Sequence, residues 1–379
     1  MSDINEERIL AEFLELVQIK SSTLDEREIA DLLTKRLTEL GGKVTEDNAG
    51  EKLGGNTGNL VADFPATKGK ENIPAVMLTA HMDCVEPCGG VKPVVENGLI
   101  RSDGTTILGA DDKAGICAIL ETLRQLAENN IPHGPLQVVF AVAEENGVHG
   151  SQNLDASLLH SAMGYTFDTH GEPGSMSYMA PGKNQIHIQV IGKPAHAGVE
   201  PDKGISAICA AGKLIATAPQ GRIDFETTCN LGKIKGGSAT NVVPECCDIY
   251  YEARSRNKAK LDDLTDKICQ HFTAGAKETN CKITATVSPD YDPYLLAKDS
   301  PAIAIASKAA QNLGFAVKLE ESGGGSDANH YNEYGVPTVV CAVGETNAHT
   351  KEECIKEKDL YNAARWAIEI VKEAANSTK

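Results

Sequence analysis

The chain has 379 residues, 53 of them acidic against 36 basic, for a formal net charge of −17, and 41% of it is hydrophobic. That length suits two domains of ordinary size, and the composition is that of a globular chain with a buried core. An acidic surface repels phosphate backbones and argues against a nucleic-acid partner. No run of about 18 apolar residues offers a membrane span, and Met1–Glu15 alternates charges without the apolar core of a signal peptide.

In chain order, Ile9, Leu10, Phe13, Leu14 and Val17 recur at helical spacing. Thr23 and Glu26 have the spacing of a capping box for a second helix that ends at Gly41-Gly42. Leu60–Phe64, Ala75–Ala80 and Leu136–Ala143 read as strands, and Asp112–Ala127 as a helix with Ile116, Ile119, Leu120 and Leu123 on one face. Strands alternating with helices predict a mostly parallel sheet flanked by helices.

After about Ala180 the pattern changes. Lys183–Ile191 alternates as a strand, Gly204–Ala218 is helical, Thr227–Ile234 and Asp248–Ala253 are strands, Leu261–Glu278 is helical and Lys282–Val287 is a strand. This β-α-β-β-α-β order is that of a ferredoxin-like α+β unit. From Ser300 the α/β pattern returns, with a helix Pro301–Leu313, a strand Val336–Val343 and a closing helix Leu360–Ala375. The expected organisation is a discontinuous catalytic domain, residues 1–181 and 295–379, with a lid over residues 182–294 inserted into it.

The chemistry-bearing residues cluster where predicted strands end. His81-Met82-Asp83, Asp111-Asp112, Glu144-Glu145, Asp168 and His349 all offer nitrogen or oxygen donors. In an open α/β sheet, strand C-termini converge on one crevice. Two His with several carboxylates describe a hydrolytic divalent-metal site better than a structural one. Asp83, two residues beyond His81, can orient its ring. Adjacent Asp111 and Asp112 are costly together without a cation; Asp112 alone also reads as a helix N-cap, but that leaves Asp111 unexplained and favours a metal ligand there. Of Glu144 and Glu145, one suits a ligand and the other a proton carrier. His196, in Pro194-Ala195-His196-Ala197-Gly198, is a turn histidine or an oxyanion donor. Gly323-Gly324-Gly325-Ser326 lacks the Lys-Ser/Thr of a phosphate loop, so Gly324 marks a turn or a close approach to a ligand. The 11 Cys include no C-x-x-C, which reads as reduced cytosol. Cys84 and Cys88 flank the His81 motif, but thiolate ligands would quench the Lewis acidity a hydrolase needs.

Together, Thr79-Ala80-His81-Met82-Asp83, Gly109-Ala110-Asp111-Asp112-Lys113, Glu144-Glu145, Asp168, Ala195-His196-Ala197-Gly198 and His349 resemble, in order and over essentially the whole chain, the di-zinc metallo-exopeptidases. That family includes peptidase T, glutamate carboxypeptidases, succinyl-diaminopimelate desuccinylase and aminoacylases, and the chain is most similar to its peptidase T-like branch. The resemblance implies two divalent ions, zinc first with cobalt or manganese as substitutes. Asp111 would bridge them, His81 and Asp168 would complete one site, and Glu145 and His349 the other. It implies that Glu144 is the general base and acid, that Asp83 orients His81, and that the Asp111–Asp112 bond is cis. It also implies that His196 assists the oxyanion, often from a dimer partner, and that Asn241 and Arg254 hold substrate. One departure is Ser322, where peptidase T carries an Arg before its Gly-Gly turn; that Arg suits a peptide carboxylate.

The expected function is therefore a cytoplasmic di-zinc aminopeptidase acting on short peptides, with a possible homodimer through the lid. An amidase or deacylase of N-acyl amino acids, or a carboxypeptidase, would use the same centre with a different pocket. A non-catalytic binding module would lack a ligand or base, and none is missing. No Gly-x-Ser-x-Gly elbow supports a serine hydrolase.

Overall fold

The computed structural model describes residues 4–377. The chain divides into two compact units, one of Met1–Met179, Leu295–Ser322 and Ser326–Lys379, the other of Ala180–Tyr294 with Gly323–Gly325.

In the first unit a twisted sheet runs, side by side, Lys43–Glu46, Leu60–Phe64, Leu136–Ala141, Val76–His81, Met163–Thr166, Thr338–Cys341 and Ser175–Ala180. The four strands from Leu136–Ala141 to Thr338–Cys341 are parallel, and antiparallel strands lie outside them. Strands buried on both faces need apolar residues throughout, and every residue of Leu136–Ala141 and Val76–His81 is buried. Successive side chains go to opposite faces. Leu78 and Ala80 join the large core formed with the helices Glu6–Leu16, Ala110–Glu128, Pro301–Asn312 and Glu357–Asn376. Met77 turns the other way, to Val139, Tyr331 and Val336. Trp366, fully buried, donates its indole N–H to the Ala306 carbonyl at 2.9 Å, so its large apolar burial leaves no polar group unsatisfied. A separate small sheet pairs Glu345–Thr346, Cys354–Lys356, Leu99–Arg101 and Val94–Glu96.

The second unit is an antiparallel sheet in the order Gly221–Arg222, Thr227–Gly236, Cys246–Ser255, Gly182–Ile191, Lys282–Tyr291. Ile186, Ile188 and Val190 face one side with Ile249, Tyr251 and Ala253, and the helices Ala207–Ile215 and Lys258–Thr279 cover that side with Leu214, Leu261, Ile268 and Phe272. Each such aliphatic or aromatic side chain contributes about 1.5–3 kcal/mol on burial. The strand order is that of a ferredoxin-like unit, with one short extra strand at its edge.

The expected capping box does not form. The second helix is Arg27–Glu39, and its N-cap residue Glu26 makes no side-chain cap bond. Glu26 instead accepts from the amides of Leu24 and Ala143, and Thr23 donates to Asp83. Tertiary partners at the sheet edge outcompete the local bonds. The late strand is also shorter than its apolar run, Thr338–Cys341, because Val336 and Val343 are buried by loop packing rather than by pairing.

Candidate metal centre

Three parallel strands bring the centre together. His81 ends Val76–His81 and pairs with Ala141, so the Glu144-Glu145 turn that follows Leu136–Ala141 lies beside it. Asp168 lies two residues beyond Met163–Thr166, its amide donating to the Cys341 carbonyl at 3.2 Å. Asp111 enters from a loop whose Gly109 has φ +80°, a conformation that favours glycine. His349 comes from the tip of the Glu345–Lys356 hairpin, itself at φ +64°.

The donor atoms form two overlapping sets, His81 with Asp111 and Asp168, and Asp111 with Glu145 and His349; within each set they lie within 4.8 Å of one another. The His81 Nε2 is 2.9 Å from Asp111 Oδ1 and 3.7 Å from Asp168 Oδ1. The His349 Nε2 is 2.8 Å from Glu145 Oε2 and 3.2 Å from Asp111 Oδ2. Asp111 thus presents one oxygen to each set.

The adjacent Asp residues have different tasks. The Asp111–Asp112 peptide bond is cis, and Asp112 points away from the donor sets. Its Oδ2 accepts from the His81 amide at 3.2 Å and its Oδ1 from the Gly115 amide at 3.1 Å, the latter an N-cap bond. Asp83 does more than orient His81. The His81 Nδ1 is 3.1 Å from the Asp83 carbonyl and 3.4 Å from its carboxylate. That carboxylate accepts from Thr23 at 2.7 Å and from the amides of Glu144 at 3.0 Å and Glu145 at 3.2 Å. Asp83 therefore holds the His81 ring mainly through its backbone carbonyl, and the Glu144-Glu145 turn through its buried carboxylate. The Glu144 side chain belongs to neither donor set.

The electrostatics ask for cations. Burial pushes the Asp168 carboxyl up to about 6, with the Asp111 and Glu145 carboxylates adding to the effect. Burial also holds Glu144 well above the usual carboxylate range, reinforced by Asp168 and Asp327. Hydrogen bonds to Asp111 and Glu145 push His349 up to about 11. A site that draws protons this strongly has surplus negative charge, and divalent ions would supply the compensation. The donors are imidazole and carboxylate, which fits zinc-like ions, and sulfur takes no part in either set. Cys84 instead donates to the Asp111 carbonyl and accepts from Lys113, 2.6 Å away.

His196 and Asn241 lie in the second unit on adjoining segments: His196 bridges to Val242, and the Ala197 amide donates to the Asn241 carbonyl at 3.0 Å. Both side chains are exposed. Arg254, on Cys246–Ser255, holds Glu252 through Nε at 3.0 Å and Nη2 at 3.1 Å. Gly324 has open space where a Cβ would stand, whereas a Cβ on Gly325 would lie 2.3 Å from the Tyr291 ring. Gly325 therefore makes the close approach to protein in this turn, and Gly324 leaves its side open.

Sequence reasoning missed three buried groups around the centre. Lys113, 1% exposed, donates to Ser21 at 2.8 Å as well as to Cys84; a Lys opening an otherwise apolar helix face was a usable signal. Asp327, 1% exposed, adds to the negative field on Glu144. Glu353 accepts from the Leu108, Gly109 and Asp111 amides, and no local pattern marks it.

Residues 77–373 match peptidase family M20/M25/M40. The chain belongs to this family. The M20 protein is 42% identical to YqjE of Bacillus subtilis (strain 168) over 98% of this chain and 100% of that one. The crystal structure of the aminopeptidase PepT from Bacillus cereus ATCC 10987 is similar at 42% identity and a TM-score of 0.88, covering 98% of this chain and 99% of that one. A tripeptidase from Staphylococcus aureus subsp. aureus Mu50 is similar at 39% identity and a TM-score of 0.92, covering 99% and 100%. As a family member the M20 protein is a metal-dependent hydrolase, and the two donor sets are its candidate metal-binding groups. No helix among the described residues is long and apolar enough to cross a membrane.

Proposed function

We propose that this M20 protein is a di-zinc aminopeptidase that removes the N-terminal residue of short peptides, tripeptides foremost. The observation that carries the reading is the pair of donor sets sharing Asp111, with Glu144 left outside both. The names of the Bacillus cereus aminopeptidase and the Staphylococcus aureus tripeptidase point the same way. His81 and Asp168 would hold one ion, Glu145 and His349 the other, and Asp111 both, with cobalt or manganese able to replace zinc. Bound ions would supply Lewis acidity toward the scissile carbonyl and make water a better nucleophile.

The remaining chemistry belongs to side chains. Glu144, raised in pKa by burial, would take a proton from the attacking water and pass it to the leaving amine. Asp83 would keep Glu144 and His81 in position. His196, from the same chain or a dimer partner, would donate to the oxyanion, and Asn241, Arg254 and Gly324 would hold the peptide. The functional lid is assigned to residues 182–294, and homodimerisation to the same region. A cytoplasmic location completes the proposal.

A second reading, hydrolysis of N-acyl amino acids or carboxypeptidase action, is favoured by Ser322 standing where peptidase T carries its Arg. The test is hydrolysis by the zinc-loaded protein of di-, tri- and tetrapeptides alongside N-acyl amino acids. Fastest release of the N-terminal residue from tripeptides is expected. Turnover of N-acyl amino acids without peptide cleavage would overturn the aminopeptidase in favour of a deacylase.

A further inference from the structure

Glu353 lies four residues after His349 and 242 residues from Asp111, yet it joins the two. Its side chain is buried, 1% exposed. Its Oε2 accepts from the amides of Leu108 at 2.9 Å and Gly109 at 2.7 Å, and its Oε1 from the amide of Asp111 at 3.0 Å. Its own amide donates to the Thr350 carbonyl at 3.1 Å, within the hairpin tip that carries His349. At the base of that tip, Glu345 pairs with Ile355 and Thr346 with Cys354, and Cys354 pairs in turn with Arg101.

The tip needs such an anchor. His349 and Asn347 both have left-handed backbone, φ +64° and +57°, and the His349 side chain is 57% exposed. On the other side, Asp111 is non-helical at φ −78°, ψ 104° although its helix has nominally begun, so helical hydrogen bonding does not fix it. One carboxylate with three charge-assisted bonds fixes both segments at once.

We propose that Glu353 is a positioning residue, a clamp that sets Asp111 and His349 at the spacing the Asp111–Glu145–His349 ion requires. The proposal rests on the di-metal reading above. The other set loses less without the clamp, because His81 and Asp168 are fixed at the ends of paired strands.

Glu353→Gln is the sharpest test. Glutamine has one acceptor oxygen and one amino group. Placing the amino group at the Oε2 position would face it against two N–H donors, whereas placing it at Oε1 opposes only the Asp111 amide. The variant should therefore release the Asp111 amide and keep the other two. Amide exchange of the metal-free protein over residues 108–111 is expected to be faster than in wild type. In a cobalt titration followed by absorption, the first equivalent should bind with an affinity close to wild type, because two of its three candidate ligands do not depend on the clamp, and the second should bind roughly 10–100-fold more weakly, the usual cost of losing a group that supports a ligand. Glu353→Asp keeps the charge but is one methylene shorter, cannot reach all three donors, and should show the same two changes if the glutamine variant does not fold. Wild-type exchange and wild-type affinity for both ions, in whichever variant folds, would overturn the clamp alone. A wild-type protein that never takes up a second ion would overturn the clamp together with the di-metal reading.

Discussion

The two donor sets share Asp111 but are built differently. His81 is 1% exposed, follows a fully buried strand and is held at its amide by Asp112 and at its ring by the Asp83 carbonyl. His349 is 57% exposed and projects from a hairpin tip with left-handed backbone. One half of the centre is thus part of the sheet, and the other is assembled from loops. The same ligand chemistry need not give the same affinity, because a ligand that must be ordered on binding gives up part of its binding energy to conformational entropy. The buried half should retain its ion, and the open half should exchange first on dialysis against a chelator.

The largest effect should come from the group outside both sets. Glu144→Gln keeps shape and hydrogen bonding and removes the basic oxygen. Turnover should fall about 10²–10⁴-fold, with both ions retained by metal analysis. A variant that loses metal along with activity would place Glu144 among the ligands. Next, Glu145→Gln and His349→Ala should weaken one ion of the two by roughly 100-fold or more, beyond the usual cost of losing a supporting group. His81→Ala should instead disturb the tighter ion. Equal losses from His81→Ala and His349→Ala would erase the distinction between the halves.

His196→Ala tests the second unit against the first. Removing an oxyanion donor costs about 100-fold in turnover, and because His196 lies in neither donor set, metal content should not change. Lost zinc, or full activity on peptides, would each refute the role.

Much of this centre was legible because its candidate residues sit at strand ends, where a change from apolar run to carboxylate or imidazole is visible in one dimension. The candidate donors His81, Glu145 and Asp168 are of that kind, as is Glu144 beside them. The ferredoxin-like order of the second unit was legible for a related reason: alternation in Lys183–Ile191 survives as Ile186, Ile188 and Val190 on one buried face. What stayed hidden depends on contacts across the chain. Thr23 and Glu26 carry a strong local helix-start pattern, but their side chains serve Asp83 and the Ala143 amide, about 60 and 117 residues away. Glu353 has no local signature, since its three partners lie more than 240 residues away. Helical and strand periodicity report which face a residue is on; they carry no information about which distant amide a buried carboxylate will meet.

Glu26 gives the smallest effect and a check on the buried half that needs no metal. Its side chain is fully buried, with one oxygen accepting from Leu24 at 2.9 Å and Ala143 at 3.1 Å, while no partner for Oε2 is found among the described residues. Burial pushes its carboxyl up to about 7, and the Asp83 carboxylate adds to the push. The folded state therefore holds this proton over a range where the unfolded chain, near 4.5, has released it. By linkage its contribution to stability is fully present below about pH 4.5, declines as pH rises, and is lost once pH passes about 7. Glu26→Gln keeps the acceptor oxygen and removes the titration. At pH 5 the variant should be more stable by less than about 1 kcal/mol. At pH 8 the variant should be more stable by about 1–3 kcal/mol, one pKa unit corresponding to about 1.4 kcal/mol. Urea unfolding of both metal-free proteins at the two pH values measures this. A difference independent of pH would mean that Glu26 is already ionised in the folded protein, and that the buried half tolerates a further negative charge beside Asp83.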